Sequence, residues 1–183
     1  MKNPENMLKS QTLSLRAPEP EDVDILYRWE NDESIWHLSN TLTPFSRFAL
    51  EQYIMNTHED IFSSRQLRLM IDVTESQTPA RTVGAIDLFD FDPANRRAGI
   101  GILIIKEERG KGYASTALEM VIRYAFHRLG LHQLYSNVLK DHEASLELFR
   151  KLQFEIAGLK REWIFVDNQW KDEYLLQLIN PDS

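Results

Sequence analysis

Residues 99 to 114 read Gly-Ile-Gly-Ile-Leu-Ile-Ile-Lys-Glu-Glu-Arg-Gly-Lys-Gly-Tyr-Ala. Ile100 to Ile105 is an apolar, β-branched run with the length of a buried strand. Glu108 to Ala114 carries Gly110 and Gly112 one residue apart and passes into a helical pattern. A strand, a glycine turn and a helix in succession make an anion cradle. The turn's N–H groups and the free donors of the first helical turn converge where the helix dipole is positive. Two phosphate-binding patterns fail here. A P-loop needs glycine at the position of Ile105 and Ser or Thr directly after Lys111; the dinucleotide fingerprint needs glycine where Ser115 stands.

The helix beyond the cradle is strongly periodic. Ala114, Ala117, Leu118, Val121, Ile122, Ala125, Phe126 and Leu129 follow three- and four-residue steps, and Gly130 sits where a C-terminal cap belongs. Further on, Gln133 to Leu139 predicts a strand, and Asp141 an N-cap for a helix through Leu152. Phe154 to Val166 and Trp170 to Ile179 predict two strands joined at the turn Asp167-Asn168. Upstream, Arg96 to Ile105 pairs through Asp92-Pro93-Ala94-Asn95 with Thr82 to Phe91. Leu67, Leu69, Ile71 and Val73 alternate in Gln66 to Val73, a half-buried strand, followed by a polar turn containing Pro79. Thr12 to Arg16 opens the chain as a strand. Pro18 to Asp22 starts a helix with Val23, Leu26 and Tyr27 on one face, and Ser46 to His58 forms a second. Asn31 to Pro44, with Trp36, His37 and Leu38, is irregular.

No repeat or low-complexity linker interrupts the 183 residues, so the pattern reads as a single domain over residues 1 to 183, with a core from about 11 to 180. With 43% hydrophobic and 27% charged residues the chain can bury a core and stay in solution. The absence of cysteine excludes disulfides, thiolate nucleophiles and cysteine-based zinc sites. His37, His58, His127, His132 and His142 show no metal-binding spacing on one element, so no metal is expected. Met1 to Ser10 has no apolar signal region, which points to a cytoplasmic protein. The net charge of −7 argues against broad nucleic-acid or anionic-membrane binding and suits a cationic amine.

A third phosphate pattern, Arg/Gln-x-x-Gly-x-Gly/Ala, is met in full by Arg109-Gly110-Lys111-Gly112-Tyr113-Ala114. This segment resembles the pyrophosphate loop of the GNAT acyl-CoA-dependent N-acyltransferases, and the order of elements is similar to theirs along nearly the whole chain. Leu15-Arg16 followed by Glu21-Asp22, Asn95-Arg96-Arg97-Ala98, Leu134-Tyr135 and Leu148 to Phe154 resemble the group holding spermidine and ribosomal-protein N-terminal acetyltransferases. The resemblance implies an α+β GNAT fold: a mixed central sheet of seven strands, helices on both faces, and a V-shaped splay between two parallel strands, Ile100–Ile105 and Gln133–Leu139. Acetyl-CoA would lie in that splay against Ile102, Leu103 and Ile104, its pyrophosphate on Arg109 to Ser115, with His142 and Phe149 nearby. The acceptor would be a small-molecule amine or a protein N-terminus, and the resemblance leaves room for a homodimer.

The reaction implied is attack of a neutral amine on a thioester in a ternary complex. It needs a base for the ammonium, donors at the oxyanion and a proton for the thiolate. Many relatives carry a glutamate two residues after the Arg-Arg pair, where this chain has Gly99, and a proton-donating tyrosine where it has Phe149. Asp87 is a candidate base, and strict alternation puts it on the face of Ala85 and Phe89, opposite Asp90 with Ile86 and Leu88. Tyr135 and Ser145 are candidate acids. A thiol with a pKa of about 8.5 leaves tolerably without one. Two readings follow: an N-acetyltransferase, slow as it stands, or a catalytically weak acyl-CoA-binding sensor or interaction protein.

Overall fold

Alternation in residues 67 to 73 sets the middle of the sheet. The computed structural model describes residues 7–36, 41–56, 60–74 and 80–183; His37, Leu38, His58 and Pro79 lie outside them. In β2 (Leu67–Val73), Leu69, Ile71 and Val73 face one core and Met70 the other, so the strand is buried on both sides. β3 (Arg81–Asp92) pairs antiparallel with β2 and with β4 (Arg97–Ile104), and β1 (Leu13–Arg16) lies on the outer edge of β2. β5 (Gln133–Leu139), β6 (Glu155–Val166) and β7 (Gln169–Ile179) complete seven strands in the order β1-β2-β3-β4-β5-β7-β6. Asp167 and Asn168, with φ of 50° and 58°, make the tight turn between β6 and β7 that their residue types anticipate.

The helices α1 (Val23–Glu30), α2 (Arg47–Asn56), α3 (Ile61–Ser64), α4 (Tyr113–His127) and α5 (Glu143–Lys151) flank the sheet among the described residues. Ala117, Leu118, Val121 and Ala125 of α4 and Leu146 of α5 pack on Ile86, Leu88 and Ile100, the larger core. Leu26 of α1 and Leu50 and Ile54 of α2 pack on Met70 and Ala85, the smaller core on the opposite face. The fold is therefore the mixed sheet with helices on both faces expected from the sequence. Among the described residues no helix is long and apolar enough to cross a membrane.

Two local features differ from the sequence reading. α3 was not anticipated, because four residues are too few for a periodic signal; Asp60 caps it by accepting from the N–H groups of Phe62 and Ser63. Asp141 is not the N-cap of α5. That position is His142, and the Asp141 carboxylate pairs instead with Lys171 of β7. A full charge across the strand outcompetes a backbone donor for the same oxygen.

Near the chain's start, Arg16 ties β1 to the rest. Its guanidinium reaches Asp22 at 2.6 Å and Asp72 at 2.6 Å, and Thr82 donates to Asp72 at 2.7 Å. The two carboxylates are only 6% and 9% exposed. The resembling pair Leu15-Arg16 and Glu21-Asp22 is thus an ion pair that docks the start of α1 on the sheet. Arg16→Met should cost about 3–5 kcal/mol in denaturant unfolding, because it leaves two buried charges without their cation. Desolvation would raise the Asp22 carboxyl, but its hydrogen bonds to Arg16 and to the Glu19 N–H win and hold it below its ordinary value. Its contribution should be complete above about pH 4 and fall away as pH drops through that lowered value, a dependence that Arg16→Met should weaken.

Candidate functional site

The cradle is built mainly from backbone. After β4 a single 3-10 turn, Lys106–Glu108, leads into Arg109, whose Nε donates to the carbonyl of Ile104 at 2.9 Å. Arg109 therefore staples the loop to the end of the strand. Gly110 and Gly112 have φ of 76° and 83°, and a Cβ at either would meet nothing within 4 Å. The backbone needs glycine there, and the space beside it is open. Gly112 stands at the N-cap of α4, its carbonyl accepting from the Thr116 N–H at 3.2 Å. The N–H groups of Tyr113, Ala114 and Ser115 have no carbonyl behind them in the helix. Lys111 is held by Glu108 at 3.0 Å, and Arg81 meets the same carboxylate at 3.2 Å. Those hydrogen bonds, Arg81's first, hold the Glu108 carboxyl below its ordinary value. Tyr113 packs on the larger core, and the Ser115 hydroxyl turns to Glu119. Open glycine backbone, free helix donors and basic side chains at the rim fit a diphosphate.

The splay lies directly upstream. β4 and β5 pair in parallel at only three positions, Arg97 with Gln133, Ala98 with Leu134 and Gly99 with Tyr135. Among the described residues, Ile102, Leu103 and Ile104 have no ladder partner on the β5 side, nor Val138 and Leu139 on the β4 side. The last paired row runs Phe89, Gly99, Tyr135 across three strands. A Cβ on Gly99 would lie 2.2 Å from the Phe89 ring. Phe89 and Tyr135 meet edge-on at 5.9 Å over that glycine. Gly99, where the resemblance leads one to expect a base, is therefore roofed by two aromatic rings.

Asp90 departs from the expected alternation. A bulge interrupts the β3–β4 register between Phe89 and Asp92, and Asp90 takes φ of 49°. The Tyr135 hydroxyl donates to its Oδ2 at 3.0 Å, which brings Asp90 to the Phe89 face and away from Ile86 and Leu88. Burial, reinforced by this bond, pushes the Tyr135 phenol up to about 12.

Asp87 lies on the expected face, but both its oxygens are engaged by Arg68, at 2.7 and 3.1 Å. Glu30 joins the same guanidinium, and the Tyr53 ring lies 5.5 Å from it. Burial would lower Arg68, and the two carboxylates more than reverse this. Phe149 is 3% exposed and packs edge-on to Phe154 at 5.0 Å. Ser145 is half-buried one turn earlier on α5, after His142 at the helix start. Trp36 donates its Nε1–H to the Glu30 carbonyl at 2.8 Å, fixing the connection after α1. Neighbouring Asp32 is held low chiefly by its hydrogen bonds from Ser34. The structure thus brings Tyr135, Gly99 and Phe89 together and commits Asp87 to an ion pair. Sequence reasoning missed the bonded Asp90, and only the loss of alternation before the Pro93 turn could have signalled it.

The family model described as an acetyltransferase (GNAT) domain matches residues 12–155. The uncharacterized N-acetyltransferase p20 of Bacillus licheniformis is 28% identical over 176 residues, 96% of this chain and 97% of that protein. The spermidine N(1)-acetyltransferase of Escherichia coli K12 is 26% identical over 169 residues, 91% of this chain and 85% of that one. Among solved structures, a spermidine N-acetyltransferase from Vibrio cholerae in complex with CoA and spermine superposes with a TM-score of 0.82 at 24% identity, covering 93% of this chain and 96% of that one. This likeness concerns the fold.

The cradle's geometry sets an order of effects on CoA binding by calorimetry. Gly112→Val, at a φ of 83° and facing the open space, should abolish binding. Lys111→Ala should weaken it modestly, and less so in high salt. Wild-type affinity in Gly112→Val would overturn the assignment of the loop.

Proposed function

Since this chain belongs to the GNAT acetyltransferase family, we propose that it transfers an acetyl group from acetyl-CoA to a primary amine of a small molecule or a protein N-terminus, by direct attack in a ternary complex. The observation that carries this reading is the three-residue pairing of β4 and β5 immediately before the open cradle. One slot then serves the whole donor: the diphosphate on residues 109 to 115, the amide-bearing arm along the free edge of Ile102 to Ile104, the thioester near Gly99. Bound there, acetyl-CoA supplies an activated acyl carbon. The spermidine acetyltransferases among the relatives support an amine acceptor.

The chain's own groups make the turnover slow. Gly99 offers no carboxylate, Phe149 no hydroxyl, and the Tyr135 proton is engaged by Asp90. Ser145 and Tyr135 are the hydroxyls left to protonate the departing thiolate. An amine with a pKa of about 10.4 arrives protonated at neutral pH, so deprotonation weighs on the rate. Release of free thiol from acetyl-CoA should be stimulated by one or more amines of a panel spanning polyamines and N-terminal peptides. A protein that binds CoA yet shows no amine-stimulated release would overturn the reading.

Phe149→Tyr restores the missing hydroxyl, and general acids of this kind contribute about 100- to 10,000-fold. The turnover number should rise. The sequence alone suggests unchanged stability, but Phe149 is in the core, so the new hydroxyl should cost about 1–3 kcal/mol in the CoA-free protein. An unchanged rate, with Ser145→Ala or Tyr135→Phe slower, would place the acid elsewhere.

A further inference from the structure

We propose that Asp90 is the carboxylate that receives the acceptor's ammonium group and takes its proton, in place of the side chain that Gly99 lacks. This rests on the acetyl-transfer reading above and adds which group of this chain meets the amine.

Three observations carry it. The first is position. Asp90 directly follows Phe89 and is bonded to Tyr135, the two residues that flank Gly99 in the last row before β4 and β5 part. The second is the bulge. Undisturbed alternation would bury Asp90 in the larger core with Ile86 and Leu88; instead the strand holds it exposed, at a φ of 49° that aspartate tolerates better than most residues. Bulges beside active sites commonly re-aim a side chain, and positive-φ residues persist where the surroundings over-determine them. The third is charge. Asp87 and Glu30 share Arg68, Asp92 meets Arg97 at 3.3 Å, and Glu173 meets Lys160 at 2.9 Å. Asp90 makes no ion pair among the described residues, and its bonded partner is the neutral Tyr135 hydroxyl. Among the described residues no cationic side chain meets its carboxylate, which leaves it open to a cation from outside.

The step balances as follows. The ammonium binds at Asp90 and loses one proton to it, and the freed lone pair forms the C–N bond to the thioester carbonyl. Collapse breaks the C–S bond; the departing sulfur takes a proton from the hydroxyl that serves as acid, Ser145 or Tyr135, and the second proton from nitrogen restores that hydroxyl. Asp90, being exposed, passes its proton to water. The products are an amide, a free thiol and one proton. Toward the amine, Tyr135 is a positioning residue, since there it acts through Asp90.

Asp90→Asn tests this with little risk to the fold, because asparagine tolerates positive φ and keeps an oxygen for Tyr135. Two readouts are needed, amine-stimulated thiol release and calorimetric titration of spermidine into CoA-saturated protein. We expect Asp90→Asn to lower kcat/KM for the amine at least 100-fold and to weaken spermidine binding at least tenfold, with CoA affinity and melting temperature unchanged. Tyr135→Phe should lower kcat/KM about tenfold and weaken spermidine binding with it, a binding loss that an acid acting only on the thiolate would not produce. Asp90→Gly keeps the positive φ accessible, so the fold should persist while amine binding is lost. Wild-type spermidine binding and kcat/KM in Asp90→Asn would overturn this proposal alone. A wild-type protein that neither binds nor acetylates any amine of the panel would overturn the acetyl-transfer reading, and this proposal with it.

Discussion

Two parallel strands that stop pairing after three residues put an unusual demand on the fold. Peptide groups along the inner edges of β4 and β5 have no ladder partner there, and backbone groups left unsatisfied are costly. The rest of the molecule holds this gap open. α4 and α5 lie behind it in the larger core, β7 supports β5 along its full length, and β3 supports β4 from Gly84 to Phe89. With its outer edges secured, the sheet cannot close the gap by sliding one strand over. A ligand rich in amides is the natural partner for such an edge, and the anion cradle at its end fixes which way that ligand lies.

Electrostatics divides the two faces of the site. The cradle gathers Arg109, Lys111 and Arg81 around a carboxylate, Glu108, which orders the two that it contacts. Across the sheet the face of α1 and α2 gathers carboxylates, and most are matched by arginine or lysine. Matching locks the architecture in place: Arg68 joins α1 to β3 through Glu30 and Asp87, and Arg16 joins β1 to β2 and the start of α1. A negative donor substrate and a positive acceptor would thus meet fields of suitable sign from opposite sides.

Much of this was readable from residue order. The strands, the four longer helices and the cradle all rest on repeating signals, alternation, three-and-four spacing and paired glycines, which local chemistry imposes on the chain. What was not readable rests on single residues without such a signal. The bulge at Asp90 carries no glycine, α3 is a single turn, and the commitment of Asp87 to Arg68 joins residues 19 positions apart in sequence. Asp141 offers a capping signal that a distant lysine overrides. Periodicity locates elements, whereas the protonation and partners of a side chain depend on what lies across from it.

The packing of Phe89 over Gly99 has a consequence for how this chain can change over generations. A glutamate at position 99 would be driven into the ring, which must first swing off Tyr135. A smaller residue at position 89 would strip Gly99 and Tyr135 of the ring packed against them. The effect of a side chain at position 99 thus hinges on the ring at position 89. What position 99 can hold therefore depends on what stands at position 89, and the two can be varied usefully only together.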